Sequence, residues 1–543
     1  MRQIIDRALA DQIDQSLAEA EHAALFGRDV SAHDRARYPR RLPEWRRVLP
    51  SLTAAVLAAG YLVASPRSPD LAAQLFRVKL FAEAGLVTWD NWWYAGHYTL
   101  PYSVLFPPLA WLFGPRVLVA LAAVGAAAAF ESLANRHFGR RAWLGATWFG
   151  AATVTPLLSG RLTFAAGLFP VALAALALQR RRPGLAAGAA LATALFSPVA
   201  ALFAALAGLA CGLGGTSRSA RRGGLAIAAA ALAPVVTVAA VFPGPGTEPF
   251  AFSALWPILV IAAAGLAMLP RRERTLTAAI ALYALGCIAA YATPTPVGGN
   301  ATRLGVLVAG PLAALVAWPR HRRLLAVAAL PLLYLQWQAP VRDVITAQSD
   351  PSTQTAYYRP LINFLRAQPH RPFRLEIPFT RAHWEAYEVA PYVPLARGWE
   401  RQTDRGVNAL FYDRRLTEAA YDAWLHALAV RYVALPDAPL DPSSRREAAI
   451  IQDSPPFLHL VRRTAHWRIY AVARPTALAT GAAMLTHLGV DTLTLTASRP
   501  GTTLVRVRYS PYWHAPGVTI TRSGPFLEAR LPHRGRFVLR NGL

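Results

Sequence analysis

A lone acid, a few isolated cations and a knot of aromatic rings are the residues in this sequence whose types could do chemistry together. Asp70 stands just past the first long apolar run, with Glu83 and Asp90 further along. Arg77 and Lys79 follow it, while Arg161 and Arg303 stand alone between later apolar runs. Trp89, Trp92, Trp93, Tyr94, Tyr98 and Tyr102 crowd the stretch TWDNWWYAGHYTLPYSVLFPPLAW, residues 88–111, with His97 among them. A carboxylate can take the proton of a hydroxyl as general base. Guanidinium groups hold phosphate bidentately. Aromatic faces stack on sugar rings as readily as on lipid.

Each of these residues also has a plainer reading. Ser68-Pro69-Asp70 opens an apolar-periodic run, which is how a helix N-terminus is written, so Asp70 can serve as a cap. Tryptophan and tyrosine favour headgroup depth and can form an interfacial belt. His97 suits a polar loop, and a lone histidine is a poor pointer to a metal, which needs several donors. Arg161 and Arg303 can snorkel to headgroups. The glycines of VGGNATRLG let a backbone approach a ligand closely. Glu376, His383, Trp384, Glu385 and Glu388 gather in LEIPFTRAHWEAYE, either as a local acid site or as an ordinary solvated loop. Walker A, HExxH, nucleophile-elbow and dinucleotide-binding patterns are all missing.

The elements that must position these groups follow from composition. Of 543 residues, 54% are hydrophobic and 16% charged, which is the balance of a polytopic membrane protein. Apolar runs near 48–64, 103–134, 142–158, 163–179, 184–196, 198–214, 223–242, 251–269, 275–293, 303–318 and 323–339 predict about eleven transmembrane helices. A break is expected at Gly114-Pro115. The net charge of +26 is nearly all arginine, Lys79 being the only lysine. Basic clusters at 40–47, 136–141, 180–182, 218–222, 271–274 and 320–323 fall in every second turn, so the charge reads as topology and no nucleic-acid partner is expected. By the positive-inside rule the N-terminus is cytoplasmic, and the first loop, 65–102, and everything after about 340 face outward. Residues 1–47 read as a cytoplasmic leader without a cleavable signal, either an amphipathic helix on the membrane surface or a solvated segment. Cys211 and Cys287 lie in apolar runs and offer no disulfide framework.

Residues 68–85 predict an amphipathic surface helix with Leu71, Leu75, Val78 and Ala82 on its apolar face and Arg77 and Lys79 pointing elsewhere. Residues 341–480 predict an extracytoplasmic α/β domain with FRLEIPF, VRYVALP and WRIYAVA as buried strands and LTEAAYDAWLHALA as a helix. The short alternating strands of 481–543 predict a small β-sandwich. The expected architecture is an α-helical membrane domain over 48–340 with these two extracytoplasmic parts behind it.

Asp70 just past the first run, the surface helix, the loop WDNWWYAGHY and the run YSVLFPPLAW resemble multi-pass glycosyltransferases of the GT-C superfamily. More closely they resemble bacterial membrane proteins of the YfhO type and the related family named for 6-pyruvoyl-tetrahydropterin synthase. VRVRYSPYWHAPGVTI is similar to a strand-turn of their exported β-domain. The resemblance covers the first loop, the layout and the last sixty or so residues. It implies a polyprenyl-phosphate sugar donor, an envelope glycan, lipid or protein acceptor, and Asp70 as the catalytic base, with inversion at the sugar carbon. Arg303, Arg161 and Arg77 are the candidates for donor phosphate, and Asp90, Trp92, Trp93, Tyr94, His97 and Tyr98 for substrate. No second acid adjoins Asp70, so the paired-acid pattern of several branches is missing. A divalent cation, magnesium or manganese, is left open and no metal ligand is assigned. The competing readings are a transporter or flippase, against which the charge-free span centres count, and a non-catalytic envelope protein that keeps the frame.

Overall fold

The computed structural model describes residues 44–369 and 371–542, so the expected leader helix lies outside the described residues. A chain out of water must satisfy its own backbone groups, and the apolar runs accordingly all become helix. α1 (Glu44–Ala64) leads to α2 (Pro69–Ala84), the two-residue strands β1 (Trp89–Asp90) and β2 (His97–Tyr98), and α3 (Phe106–Phe113). The bundle continues with α4 (Pro115–Phe138), α5 (Ala142–Ala152), α6 (Thr155–Leu158), α7 (Leu162–Gln179), α8 (Pro183–Phe196) and α9 (Pro198–Gly214). It closes with α10 (Arg218–Val241), α11 (Phe252–Met268), α12 (Arg274–Ala292), α13 (Thr302–Ala317) and α14 (Arg322–Gln348).

The run expected at 103–134 breaks at Gly114, which takes φ 83°, before Pro115 starts α4. Among the described residues seven stretches are long and apolar enough to cross a membrane, one of them the 44-residue Pro115–Leu158. The chain is a membrane protein. α8, α9 and α11 are apolar but shorter. Alanines such as Ala126, Ala190 and Ala231 fill the helix contacts at 0% exposure, which lets backbones approach closely.

The basic turns share one end of the bundle. His137 Nε2 lies 2.9 Å from Glu273, and the Arg46 guanidinium sits 5.4 Å from the Trp143 ring, itself against Trp318. Gly214 abuts Thr275, and Gly223 abuts Leu178. The first loop, the turn before α7 and the loops that precede α11 and α13 gather at the other end, where the C-terminal region sits.

That region opens with α15 (Thr355–Arg366), β3 (Arg374–Glu376), α16 (Glu385–Glu388), α17 (Arg401–Val407) and α18 (Glu418–Ala427). β4 (Val430–Pro436), α19 (Arg445–Gln452), β5 (Leu458–Arg463) and β6 (Trp467–Val472) follow. The sheet order is β3-β4-β6-β5, with β3 parallel to β4 and the other pairs antiparallel. The final strands are β7 (Ala479–Gly481), β8 (Ala483–Leu488), β9 (Thr492–Ala497), β10 (Gly501–Arg508), β11 (Trp513–His514), β12 (Thr519–Ser523), β13 (Phe526–Leu531) and β14 (Gly535–Asn541). They form two four-stranded sheets, β12-β13-β10-β7 and β11-β14-β9-β8. Val505 and Val507 of β10 point into the core at 0% exposure, as a period of two requires. α14 runs on to Gln348, so the boundary expected at 340 falls inside a helix.

α2 is not a helix lying on a lipid surface with one apolar face. Leu71, Ala72, Ala73, Gln74, Phe76, Arg77 and Leu80 are buried, while Leu75 and Val78 are half-buried and Ala82 is exposed. The cause is that protein covers it: Leu71, Phe76 and Trp93 join one core with Tyr358, Leu361, Trp384 and Trp467 of the C-terminal region.

Candidate functional site

The site begins at the first turn of α2. Ser68 is extended and caps nothing with its side chain, Pro69 starts the helix, and Asp70 follows. Asp70 Oδ2 accepts a hydrogen bond from Arg161 Nε at 3.0 Å, so its carboxylate is committed to a cation rather than to backbone amides. Arg161 stands on the turn between α6 and α7. Gly160 in that turn takes φ 77°, and a Cβ there would strike the Leu71 backbone and Ser68 Oγ, so only glycine lets the turn press against α2. Ser159 on the same turn donates to Asp343 Oδ2 at 3.0 Å.

Arg303 enters from the first turn of α13, its guanidinium 5.6 Å from the Phe164 ring. Among the described residues it makes no hydrogen bond or ion pair. Burial alone would raise the pKa of Asp70, but Arg161 and then Arg303, with the Arg161 hydrogen bond, outweigh it and hold the carboxyl below its ordinary value. Asp70 and Arg161 keep 36% and 37% of their side-chain surface open, so the pair lines an accessible crevice. The glycines of VGGNATRLG serve packing instead of ligand approach: Gly298 abuts the Glu248 carbonyl, and Gly299 N donates to Pro249 O at 3.2 Å.

The C-terminal region closes over this crevice. Arg401 of α17 reaches Asp70 electrostatically and pairs with Asp441 at 3.3 Å. Glu248, on the loop between α10 and α11, has its pKa raised by burial against the pull of Arg401. Gly246 of that loop meets Gly406 of α17 so closely that a side chain at Gly246 would run into the Gln402 carbonyl. Beside them lies a cavity of about 550 Å³ lined by Arg401, Arg405, Arg414, Arg446, Tyr412 and Asp441.

RAHWEAYE is neither a solvated loop nor a separate acid site. His383 is 2% exposed, stacks on Trp399 at 3.2 Å and places Nε2 3.5 Å from Asp441. Trp384 Nε1 donates to Arg67 O at 3.2 Å, and Arg67 pairs with Glu388 at 2.7 Å, which ties the loop to the chain entering α2. Glu385 accepts from Thr380 at 2.6 Å, and burial pushes its carboxyl up to about 8. Glu376 is fully buried and belongs to the core around Glu447 and Arg397.

The expected substrate residues lie elsewhere. Asp90, Trp93 and Tyr94 are 0% exposed and His97 is 9% exposed. Trp93 stacks on Phe76 at 3.8 Å and donates to Ala386 O at 3.2 Å, and Tyr94 Oη donates to Gly398 O at 2.6 Å. Trp92 O accepts from Leu395 N at 2.8 Å. Tyr98 is half-buried, bonds Ser510 at 3.0 Å and meets the rings of Phe242 and Tyr512. Trp93 and Tyr94 belong to the core of an interface between loop and C-terminal region and offer sugar no face, while Trp92 and Tyr98 pack half-buried at its edge. Burial lifts the Asp90 carboxyl to about 7 against the Trp92 amide and Arg77, and lowers His97 to about 3. Arg77, a phosphate candidate, is 5% exposed and taken up by an ion pair with Glu400, with Tyr102 covering its guanidinium at 3.5 Å.

Asp70, Arg161 and Arg303 are thus the predicted residues that come together. The charges nearest Asp70 are arginines, and a divalent cation there would have to displace Arg161, so this set does not fit a magnesium or manganese site. Among the described residues no group of three or more His, Cys, Asp or Glu side chains could hold a metal ion.

No protein-family model matches the chain, and no curated protein matches it. Among solved structures it is similar to the archaeal oligosaccharyltransferase AglB from Archaeoglobus fulgidus, in complex with an inhibitory peptide and a dolichol-phosphate. The identity is 12% over 72% of this chain and 69% of that one, with a TM-score of 0.34. At that similarity the match decides neither fold nor activity.

Arg401, Asp441, Glu248 and Glu400 escaped sequence reasoning. Glu248 sits in the turn FPGPGTEPF as an isolated charge, and the other three lie far along the chain with nothing local to tie them to Asp70.

Proposed function

We propose that the chain is a membrane glycosyltransferase that moves a sugar from a polyprenyl-phosphate donor to a hydroxyl of an envelope glycan, lipid or protein. The observation that carries this reading is the accessible crevice in which Asp70, Arg161 and Arg303 converge. With the basic end of the bundle cytoplasmic, that crevice and the C-terminal region face outward.

Arg303 and Arg161 bind the donor phosphate. Drawing Arg161 onto phosphate releases Asp70, whose pKa then climbs toward its ordinary value and makes it a better base. The acceptor oxygen gives its proton to Asp70 as its new bond to the sugar carbon forms on the face opposite the phosphate. The bond from that carbon to the phosphate oxygen breaks with its electron pair, and the two arginines stabilise the departing phosphate. Asp70 returns the proton to water. An apolar groove of about 430 Å³ between α4, α7 and α8 supports a polyprenyl tail. Its Ala166 lies about 6 Å along α7 from Leu162, the residue that follows Arg161.

The test is sugar transfer in reconstituted membranes, with labelled polyprenyl-phosphate mannose, glucose, arabinose and N-acetylhexosamine as donors. Asp70→Asn is expected to lower transfer by roughly 10²–10⁴-fold with the fold intact. Transfer that survives Asp70→Asn removes Asp70 as base. A second reading, donor binding without turnover, is favoured by the ion pair that occupies Asp70 and Arg161; it requires wild type to retain the donors and consume none.

A further inference from the structure

We propose that the arginine-lined cavity beside α17 is the acceptor subsite, and that it takes an acidic glycan carrying phosphodiester or carboxylate groups along its chain. The word acceptor rests on the transfer reading above; the binding does not.

Four arginines, Arg401, Arg405, Arg414 and Arg446, face a single lining carboxylate, Asp441. That carboxylate is already engaged: Oδ1 accepts from Ser443 N and Oγ at 2.8 and 2.7 Å, and Oδ2 faces Arg401 and His383. Nearby Asp413 is turned to Arg415 at 2.6 Å. Arg405 Nε is buried with no hydrogen-bond partner among the described residues, and its guanidinium sits 4.9 Å from the Tyr412 ring. Among the described residues Arg446 reaches only the Leu416 carbonyl, at 3.5 Å. Among the described residues Arg405, Arg414 and Arg446 form no ion pair, and Glu248 meets Arg405 only through its field, so three planar cations stand around one cavity with no carboxylate in direct contact. Guanidinium groups in that arrangement select oxyanions with planar, bidentate geometry.

The rest of the lining suits the body of a sugar. Leu410, Phe411 and Leu416 supply apolar surface, and a volume of about 550 Å³ is that of an ordinary small-ligand site. Pro249, next to Glu248 on the bundle, completes the wall, so the cavity straddles bundle and C-terminal region. Arg401 belongs to this lining and to the electrostatic surroundings of Asp70, which puts the anion site beside the base. A glycan with repeated negative charges lies across the cavity with one unit's hydroxyl turned to the crevice.

The chain's charge of +26 would attract any polyanion, and the experiment has to separate that from a built site. Full-length protein in detergent is titrated calorimetrically at physiological salt with a glycerol-phosphate hexamer, hexagalacturonate and neutral maltohexaose. At least one acidic oligomer is expected to bind about tenfold or more tighter than maltohexaose. The arm that binds tells phosphodiester from carboxylate. Arg405→Gln/Arg446→Gln is expected to weaken that binding by about tenfold or more, as loss of two charge-assisted contacts requires. Arg462→Gln/Arg463→Gln on exposed β5 leaves it unchanged. Equal weakening by the two double variants, equal binding of maltohexaose, or no binding of either acid oligomer overturns the proposal. A wild type that binds the oligomer yet never glycosylates it, with every donor supplied, overturns the transfer reading and keeps the anion site.

Discussion

Gly160→Ala is the substitution that tests how the crevice is held. At φ 77° an alanine costs about 1–2 kcal/mol for its left-handed backbone alone. Its Cβ would stand 2.7 Å from Ser68 Oγ and 2.9 Å from Leu71 Cα, and closer still to Leu71 N. Two of those atoms are backbone and cannot swing aside, so overpacking adds about 1–3 kcal/mol. Against this, the Asp70–Arg161 pair keeps over a third of its surface in solvent, and a pair so exposed returns about 1 kcal/mol or less. The turn therefore withdraws from α2 and carries Arg161 away. A donor phosphate then loses one charge-assisted contact, worth about 1.5–3 kcal/mol. That is about a 10- to 150-fold loss of affinity. Equilibrium binding of labelled polyprenyl phosphate to detergent-solubilised protein reads it directly. Gly184→Ala, where an added Cβ meets nothing within 4 Å, is the control and is expected to bind as wild type does. If Gly160→Ala binds like Gly184→Ala, the turn does not set the position of Arg161 and the argument fails.

Arg397 is 0% exposed between Asp404 at 2.7 Å and Glu447 at 3.3 Å, both also 0% exposed. Arg397→Met strands two buried carboxylates and should cost about 3–5 kcal/mol, read as a lowered denaturation midpoint of the full chain. Trp93→Ala empties the space between Phe76 and Gly398 and should cost about 3–5 kcal/mol by the same measurement. Asp90 has a folded pKa of about 7 against an ordinary 3.8, so the folded protein holds a proton that the unfolded chain releases. Its contribution to stability is complete below the ordinary value and is lost as pH rises through 7. Melting temperatures of Asp90→Asn should therefore fall less than those of wild type across that window, and parallel curves would contradict the burial argument.

Much of the fold was legible because its signals are local. Apolar length wrote the helices, Gly114-Pro115 wrote the break before α4, and alternation in TLTLTAS, FLEARLP and RFVLRN wrote β9, β13 and β14. Alternating clusters such as Arg136–Arg141 and Arg271–Arg274 told which turns share an end. Asp70, Arg161 and Arg303 were legible as lone charges next to apolar runs, where a charge without local purpose stands out. The surroundings of Trp93 and Tyr94 were not. An aromatic, half-polar segment suits a lipid interface and a protein interface equally, since both are apolar with a polar rim, and only the distant Ala386 and Gly398 decide between them. Arg77 was misread for a related reason: helical periodicity assigned it to a polar face, but its partner, Glu400, lies in a part of the chain that periodicity cannot see. Apolar length does not fix the number of spans where helices are as short as α8, whose length belongs equally to a crossing and to a buried segment.

The dependence of the first loop on the last strands has a consequence for how the protein is made. Asn91 N donates to Val490 O at 2.8 Å, Arg508 N to Ala95 O at 2.7 Å, and Trp89 packs against Trp513. Residues 89–95 are thus held by residues 490–513, which are synthesised far later. The β1–β2 hairpin has no finished partner until the stretch from β8 to β11 has been made. A product cut short before β8 can insert its helices and still leave this hairpin without its partner. Docking of the hairpin becomes a proofreading step that a chain broken off before β9–β11 does not pass.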